Sequence, residues 1–263
     1  MKTRILSGLI MAPLLVLLYF GGYPLMIAAF LIGIVGLYEF YKGFHSVGAR
    51  PNYIVGALAT FALYAINLLH LDDRWWMLWL VLVIMAGFIS CLYKFEERTL
   101  YDGMATVIGV IYVVFFSFHV VLISQTPHYI LIWMVVLSAF GSDIFAYFTG
   151  RALGKHKLCP NLSPKKTVEG SIGGVLGAVV LCGLFAYIFA RHYFVDALII
   201  GFFASILSQF GDLVASSFKR KMGIKDYGNL IPGHGGILDR FDSVLFTAPF
   251  VYYYIYFFVT VGR

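Results

Sequence analysis

YILIWMVVLSAFGSDIFAYFT, residues Tyr129 to Thr149, is a run of 21 residues in which Asp143 is the single charge. A bilayer core of about 30 Å is crossed by roughly 20 apolar residues in a helix. Inside lipid every backbone polar group has to find its partner within the chain, which favours helices for such a run. Working outward from it, further apolar runs lie between charged or Gly/Pro/Asn-rich breaks. They cover Ile5 to Phe20, Pro24 to Tyr41, Tyr53 to Leu71, Trp75 to Tyr93 and Met104 to Ile123 on one side. On the other side are Ser171 to Ala190, Val195 to Ser217 and Ser243 to Val261. The pattern predicts an all-α polytopic membrane protein with about nine transmembrane helices, and the whole of residues 1–263 reads as one integral membrane domain. Lys2 and Arg4 ahead of the first run look like a secretory leader, but no small-residue cleavage site follows, so the run is read as an uncleaved span.

Composition agrees. The chain is 61% hydrophobic and 12% charged, against about 45–50% and about 25% in soluble domains, which excludes a water-soluble globular enzyme. The net charge of +6 is informative through its placement, and it is not read as a nucleic-acid footprint. Sixteen of the 19 Lys and Arg residues fall in one set of alternate loops, and three, Arg74, Arg191 and Arg263, in the other. Cationic loops stay on the cytoplasmic side, so the amino terminus is expected in the cytoplasm and the carboxyl terminus outside. Cys91, Cys159 and Cys182 are odd in number and lack metal-ligand spacing, and are read as packing thiols.

Asp143 and Asp212 stand well inside apolar runs. A carboxylate at a helix centre costs about 2.5–3.5 kcal/mol on insertion scales, so an intramembrane acid reads first as functional. At 1.5 Å per residue they lie roughly 10 and 8 Å from the cytoplasmic ends of their spans. Ser208 and Ser216 flank Asp212 at one helical turn on either side, and Tyr147 stands one turn beyond Asp143. The expectation is a shared polar pocket open to the cytoplasm. An ion-coupled transporter also places acids in a membrane cavity, but their shallow depth and the lack of an inverted repeat weigh against it.

Two cytoplasmic loops are chemically dense. Phe218 to Asp242 holds Lys219, Arg220, Lys221, Lys225, Asp226, Asp239, Arg240, Asp242, His234 and five glycines. Gly233, Gly235 and Gly236 are expected to leave amides bare at a helix start near Ile237, a common means of holding phosphate oxygens. The other loop, Gly150 to Gly170, carries Ser163, Lys165, Lys166, Thr167 and Glu169 in an order that topology alone does not explain. Its cations suit a triphosphate or a phospholipid headgroup. Gly170, Gly173, Gly174 and Gly177 follow no strand, and are read as a helix-packing stripe rather than a dinucleotide fingerprint. Acids with cations at a membrane surface suggest magnesium, and with it phosphoryl or nucleotidyl transfer. No P-loop motif is present.

SSFKRKMGIKDYGNLIPGHGGILDRFDS, Ser216 to Ser243, resembles the motif S-x-x-K-R-x4-K-D-x5-P-G-H-G-G-x-x-D-R-x-D of the phosphatidate cytidylyltransferase (CDP-diacylglycerol synthase) family. Ser216, Lys219, Arg220, Lys225, Asp226, Pro232, His234, Gly235, Gly236, Asp239, Arg240 and Asp242 fall on it without departure. Gly141 to Gly174 is similar to the same family, with Val168 where an aromatic is usual. Residues 126–263 are therefore the catalytic half, and residues 1–125 carry no recognised motif. The resemblance implies transfer of a cytidylyl group from CTP to phosphatidic acid. It also implies a Mg²⁺-dependent enzyme, a homodimer, and a bacterial inner membrane with the active site facing the cytoplasm. Asp212 and Asp239 are the implied metal ligands, with Asp143 completing the pocket. Lys219, Arg220, Lys165, Lys166 and Arg240 are the implied neutralising cations. Ser163, Thr167, Glu169, Lys225, Asp226, His234, Gly235, Gly236 and Asp242 are the implied substrate contacts. The CDP-alcohol phosphotransferases, of neighbouring metabolism, are set aside because their Asp-Gly-x-x-Ala-Arg motif is missing.

Overall fold

The structure, a computed structural model, describes residues 15–230 and 235–260. Among them, eight apolar helices follow in chain order: α1 (Gly22–His45), α2 (Tyr53–Leu68), α3 (Asp73–Leu92), α4 (Leu100–Ser124), α5 (Ile132–Leu153), α6 (Val168–Phe189), α7 (Phe194–Lys221) and α8 (Leu238–Tyr254). A π-helical turn, Val110–Phe115, interrupts α4, and another, Ile255–Thr260, prolongs α8. Seven of the eight are long and apolar enough to span a bilayer. The protein is an all-α polytopic membrane protein.

The eighth, α2, is shorter than its apolar run. Asn52 starts it by accepting from the Ile54 and Val55 amides at 3.1 and 3.2 Å. The chain leaves the helix at Leu69, and His70 turns through φ 50°. Its 16 residues rise only about 24 Å, less than the hydrocarbon core. Of the expected span Ile5 to Phe20, residues 15–20 are helical and the rest lies outside the described residues.

Helices at the two dense loops run further than their apolar runs. Lys219 and Lys221 lie in the last turn of α7, where cations offset the negative end of the helix dipole. The Gly150 to Gly170 loop is largely ordered: α5 continues to Leu153, and β1 (Lys157–Cys159) pairs antiparallel with β2 (Ser163–Thr167). The register sets Lys157 against Thr167 and Cys159 against Ser163.

The chain forms two compact units. Among the described residues, the first combines 26–118 with the described part of 221–240, and the second combines 15–25 with 119–220 and 241–260. The loop after α7 thus belongs to the same unit as α2, α3 and most of α1 and α4.

In the second unit α5 and α6 pack at close range through the glycine stripe. A Cβ on Gly177 would lie 2.1 Å from Phe145 Cγ, one on Gly173 2.3 Å from Thr149 Oγ1, and one on Gly174 2.8 Å from the Ser142 carbonyl. Small residues permit this approach between membrane helices, and it fixes residues 142–149 of α5 beside the start of α6. The opposite flank of α6 exposes Ile172, Leu176, Val180 and Leu184, as a lipid-facing surface requires. The core of this unit gathers Ile132, Val135, Ala139, Ala186, Ile200, Ala204, Ala248 and Val251. Cys91 and Cys182 are buried free thiols, while Cys159 is a partly exposed one in β1.

Candidate active site

A cavity of about 280 Å³ opens in the second unit between α5, the β-hairpin, the start of α6 and α7. Asp143, Tyr147 and Arg151 line it from α5; Leu158, Lys165, Lys166 and Thr167 from the hairpin; Gly170 and Ser171 from α6; Gln209 from α7. The hairpin is held in place by its last residues. Thr167 caps α6 by accepting from the Gly170 amide at 3.1 Å. Glu169 pairs with His156 Nδ1 at 2.7 Å and accepts from the Lys155 amide at 3.1 Å and the His156 amide. The Glu169 carboxylate is thereby engaged in closing the base of the hairpin.

Once the hairpin is fixed, Lys166 reaches α7 and forms an ion pair with Asp212. Asp143, Asp212 and Lys219 all lie close enough to act electrostatically on Asp242, which is buried in α8. The two intramembrane acids read from the sequence are thus brought into one charged cluster. Three carboxylates and two ammonium groups share it.

The polar partner that α7 gives the cavity is Gln209 rather than Ser208. Gln209 accepts from the Ser171 hydroxyl and donates through Nε2 to Ser142 Oγ at 3.2 Å and to the Ser171 carbonyl at 3.0 Å. It ties α5, α6 and α7 together one turn from Asp212. Ser208 is fully buried, with its hydroxyl turned toward the Ala139 carbonyl. Gln209 was legible in principle, as an amide lying in the same apolar run as Asp212.

The first unit holds the other part of the motif. Asp239 Oδ2 accepts from the Tyr227 amide at 2.8 Å and the Gly236 amide at 3.0 Å. Gly235 adopts φ +82°, and a Cβ there would lie 2.8 Å from Asp239 Oδ2, so both conformation and space call for glycine. Lys225 and Asp226 are exposed, and Arg240 Nε is buried with no hydrogen-bond partner among the described residues. A buried guanidinium nitrogen without an acceptor suits an anionic ligand. His234 lies outside the described residues.

One expectation is corrected in part: Gly236 does not offer a bare amide, while Gly233 lies outside the described residues. The amides at the start of α8 are not bare. Gly236 donates to Asp239, while Ile237 and Leu238 donate to the carboxylate of Glu39 in α1, at 3.1 and 2.9 Å. A carboxylate supplied by the chain takes the favourable position at a helix N-terminus, so the Ile237 and Leu238 amides are not open to phosphate oxygens. The sequence reading passed over Glu39 because it stands near the end of its apolar run, beside Lys42. Its cost in a span is the signal that identified Asp143.

The donors present suit a hard divalent cation: the acids offer oxygen ligands, and an ammonium lies against Asp212 where a metal would otherwise balance charge. Among the described residues no three His, Cys, Asp or Glu side chains converge as a ready-made metal cage. Magnesium does not need one, since it is bound through one or two carboxylates together with water and substrate phosphates.

A family model described as the cytidylyltransferase family matches residues 2–258. The chain belongs to the cytidylyltransferase family. Members similar to it over nearly their whole length include the phosphatidate cytidylyltransferase of Bacillus subtilis (strain 168), 33% identical over 96% of this chain and 97% of the relative. Those of Staphylococcus haemolyticus (strain JCSC1435) and Staphylococcus aureus (strain COL) are 36% and 35% identical. They cover 94% and 95% of this chain, and 94% and 96% of the relatives. Family membership turns the charged cluster into a candidate site for a nucleotide and an anionic acceptor.

Proposed function

We propose that the protein is a phosphatidate cytidylyltransferase, an integral membrane enzyme that transfers a cytidylyl group from CTP to phosphatidic acid. The observation that carries this reading is the cluster of Asp143, Asp212 and Asp242 with Lys166 and Lys219 beside a cavity that Asp143, Lys165 and Lys166 line. It sits in a chain whose relatives bear that name. An oxygen of the phosphatidate phosphate attacks the α-phosphorus of CTP, the bond from that phosphorus to the bridging oxygen breaks, and pyrophosphate departs with the electron pair. Such a reaction asks for positioning and charge neutralisation rather than a protein nucleophile.

Lys165 and Lys166, carried by the hairpin, and Lys219 and Arg220, on the last turn of α7, neutralise the two reactants. Arg240 offers its guanidinium to a phosphate. Asp212 and Asp239, the acids that the family resemblance implies as ligands, are the residues that would hold Mg²⁺, which when bound withdraws charge from the phosphate oxygens. Asp143 and Asp242 complete the acidic wall. Ser163, Lys225, Asp226, Gly235 and His234 are assigned to substrate contacts. Thr167, Glu169 and Gly236 support them by fixing the hairpin and the loop. The site faces the cytoplasm of a bacterial inner membrane, where CTP is made, and the enzyme works as a homodimer.

The decisive experiment incubates the purified chain with radiolabelled CTP, phosphatidate and Mg²⁺ and extracts lipid-soluble cytidine. Product from the native chain and none from Asp212→Asn or Asp239→Asn is expected, with all three proteins inserted and folded. Absence of product from the native chain, or near-native turnover in either variant, would overturn the activity or the metal assignment respectively.

A further inference from the structure

The residue that governs the start of α8 comes from a span without a recognised motif. Glu39 is only 5% exposed, and each of its carboxylate oxygens accepts one amide of the loop-to-helix junction, Oε1 from Ile237 and Oε2 from Leu238. Two glycines are shaped around it. A Cβ on Gly228 would lie 2.4 Å from Oε1, and one on Gly236 2.4 Å from Oε2. The next residue, Phe40, packs on Tyr227 with ring centroids 6.0 Å apart, and the Tyr227 amide is one of the two that orient Asp239. Further along, the Ser46 hydroxyl donates to the Met222 carbonyl. Residues 39–46, the last turns of α1 and the residue after it, therefore form the bed on which the described part of the motif loop lies.

Three consecutive amides, at residues 236, 237 and 238, are divided between two acids, Asp239 and Glu39. A buried carboxylate is tolerated where donors satisfy it, and amides at a helix start need acceptors. Each acid thus meets the requirement of the junction, and neither can be withdrawn without releasing amides that border the other's. We propose that Glu39 is a positioning residue for cytidylyl transfer: by holding the Ile237 and Leu238 amides it fixes the turn that aims Asp239, without touching substrate or metal. This rests on the assignment of Asp239 to Mg²⁺ made above.

The test compares native protein with Glu39→Gln, which keeps one acceptor, and with Gly228→Ala, which presses on the same carboxylate from an unspecified position of the motif. Two quantities are read: the Mg²⁺ concentration giving half-maximal rate, and hydrogen exchange of the peptide spanning residues 235–240. Loss of a group that orients a metal-binding side chain typically weakens metal affinity about 10- to 100-fold, so both variants are expected to raise the Mg²⁺ midpoint about tenfold. The junction amides should exchange at least roughly tenfold faster while α5 and α6 stay protected. A variant that merely lost folded protein would lower the plateau rate and leave the midpoint unmoved. An unchanged midpoint, or junction amides as protected as in the native chain, overturns the proposal. If Glu39→Gln does not insert, Gly228→Ala is judged by the same two criteria. A native protein that forms product without any divalent ion would overturn the metal assignment itself, and this inference with it.

Discussion

Replacing Lys166 by methionine keeps most of the side chain's length and apolar stem but deletes the ammonium facing Asp212. The two side chains are 27% and 25% exposed, so the pair lies between two regimes. Fully exposed ion pairs contribute about 0.2–1 kcal/mol, and removing one partner of a fully buried pair costs about 3–5 kcal/mol because the other charge is left uncompensated. A value of about 2 kcal/mol follows from these bounds, and the neighbouring acid Asp242 acts in the same direction by repelling an unpaired Asp212. For a chain of this size each kcal/mol moves the melting temperature by about 2–4 °C, so Lys166→Met should melt about 4–8 °C below the native protein. Asp212→Asn in the same background removes the stranded charge, and the double variant should recover about 1–2 kcal/mol of that loss as a coupling energy. The assay is intrinsic fluorescence on detergent-solubilised protein, at one fixed scan rate because membrane proteins often unfold irreversibly. Activity is not the readout, since both residues are assigned to the reaction. Native-like melting of Lys166→Met, or strictly additive losses in the double variant, would refute the pairing.

Gly177→Ala should cost about 1–3 kcal/mol through overpacking, because its Cβ would lie 2.1 Å from Phe145 Cγ; undiminished thermal stability would show that α5 and α6 are not in close contact there. Glu169→Gln should release His156 and the Lys155 amide, and limited proteolysis between residues 154 and 167 should then run several-fold faster at unchanged global stability. An unchanged cleavage rate would remove Glu169 from its role at the hairpin base. Treatment with EDTA should abolish lipid-soluble cytidine formation, and excess Mg²⁺ should restore it; activity that survives chelation would exclude a divalent ion.

The helices were legible because lipid imposes a length on apolar runs. Each described span lies where its run placed it, and the differences arise at the ends. Lys219 and Lys221 read as loop because charge ends an apolar run, yet a helix continues past the hydrocarbon boundary wherever its dipole favours cations. Residues Leu69 to Leu71 read as span because two of the three are leucines, yet the backbone turns at His70. The hairpin was invisible to periodicity, since β1 has three residues and β2 has five, with Pro164 within the second.

For the site, Asp143 and Asp212 could be found because an acid deep in a span is costly wherever it points. Glu39 and Gln209 follow the same logic. They were missed because one stands near a run's end and the other is uncharged. What no sequence pattern carried was which amides are already occupied: bare glycine amides and capped ones look identical until the partner, nearly 200 residues away in the chain, is placed in space.

That distance has a consequence for biogenesis. As a nascent chain leaves the ribosome, α1 enters the bilayer with Glu39 lacking both amide donors, which are not synthesised until nearly 200 further residues have been made. The early helices therefore wait in an unfinished state and settle only when the late loop folds back onto them. Fragments that stop before residue 237 should leave that acid stranded and become substrates for quality-control proteases.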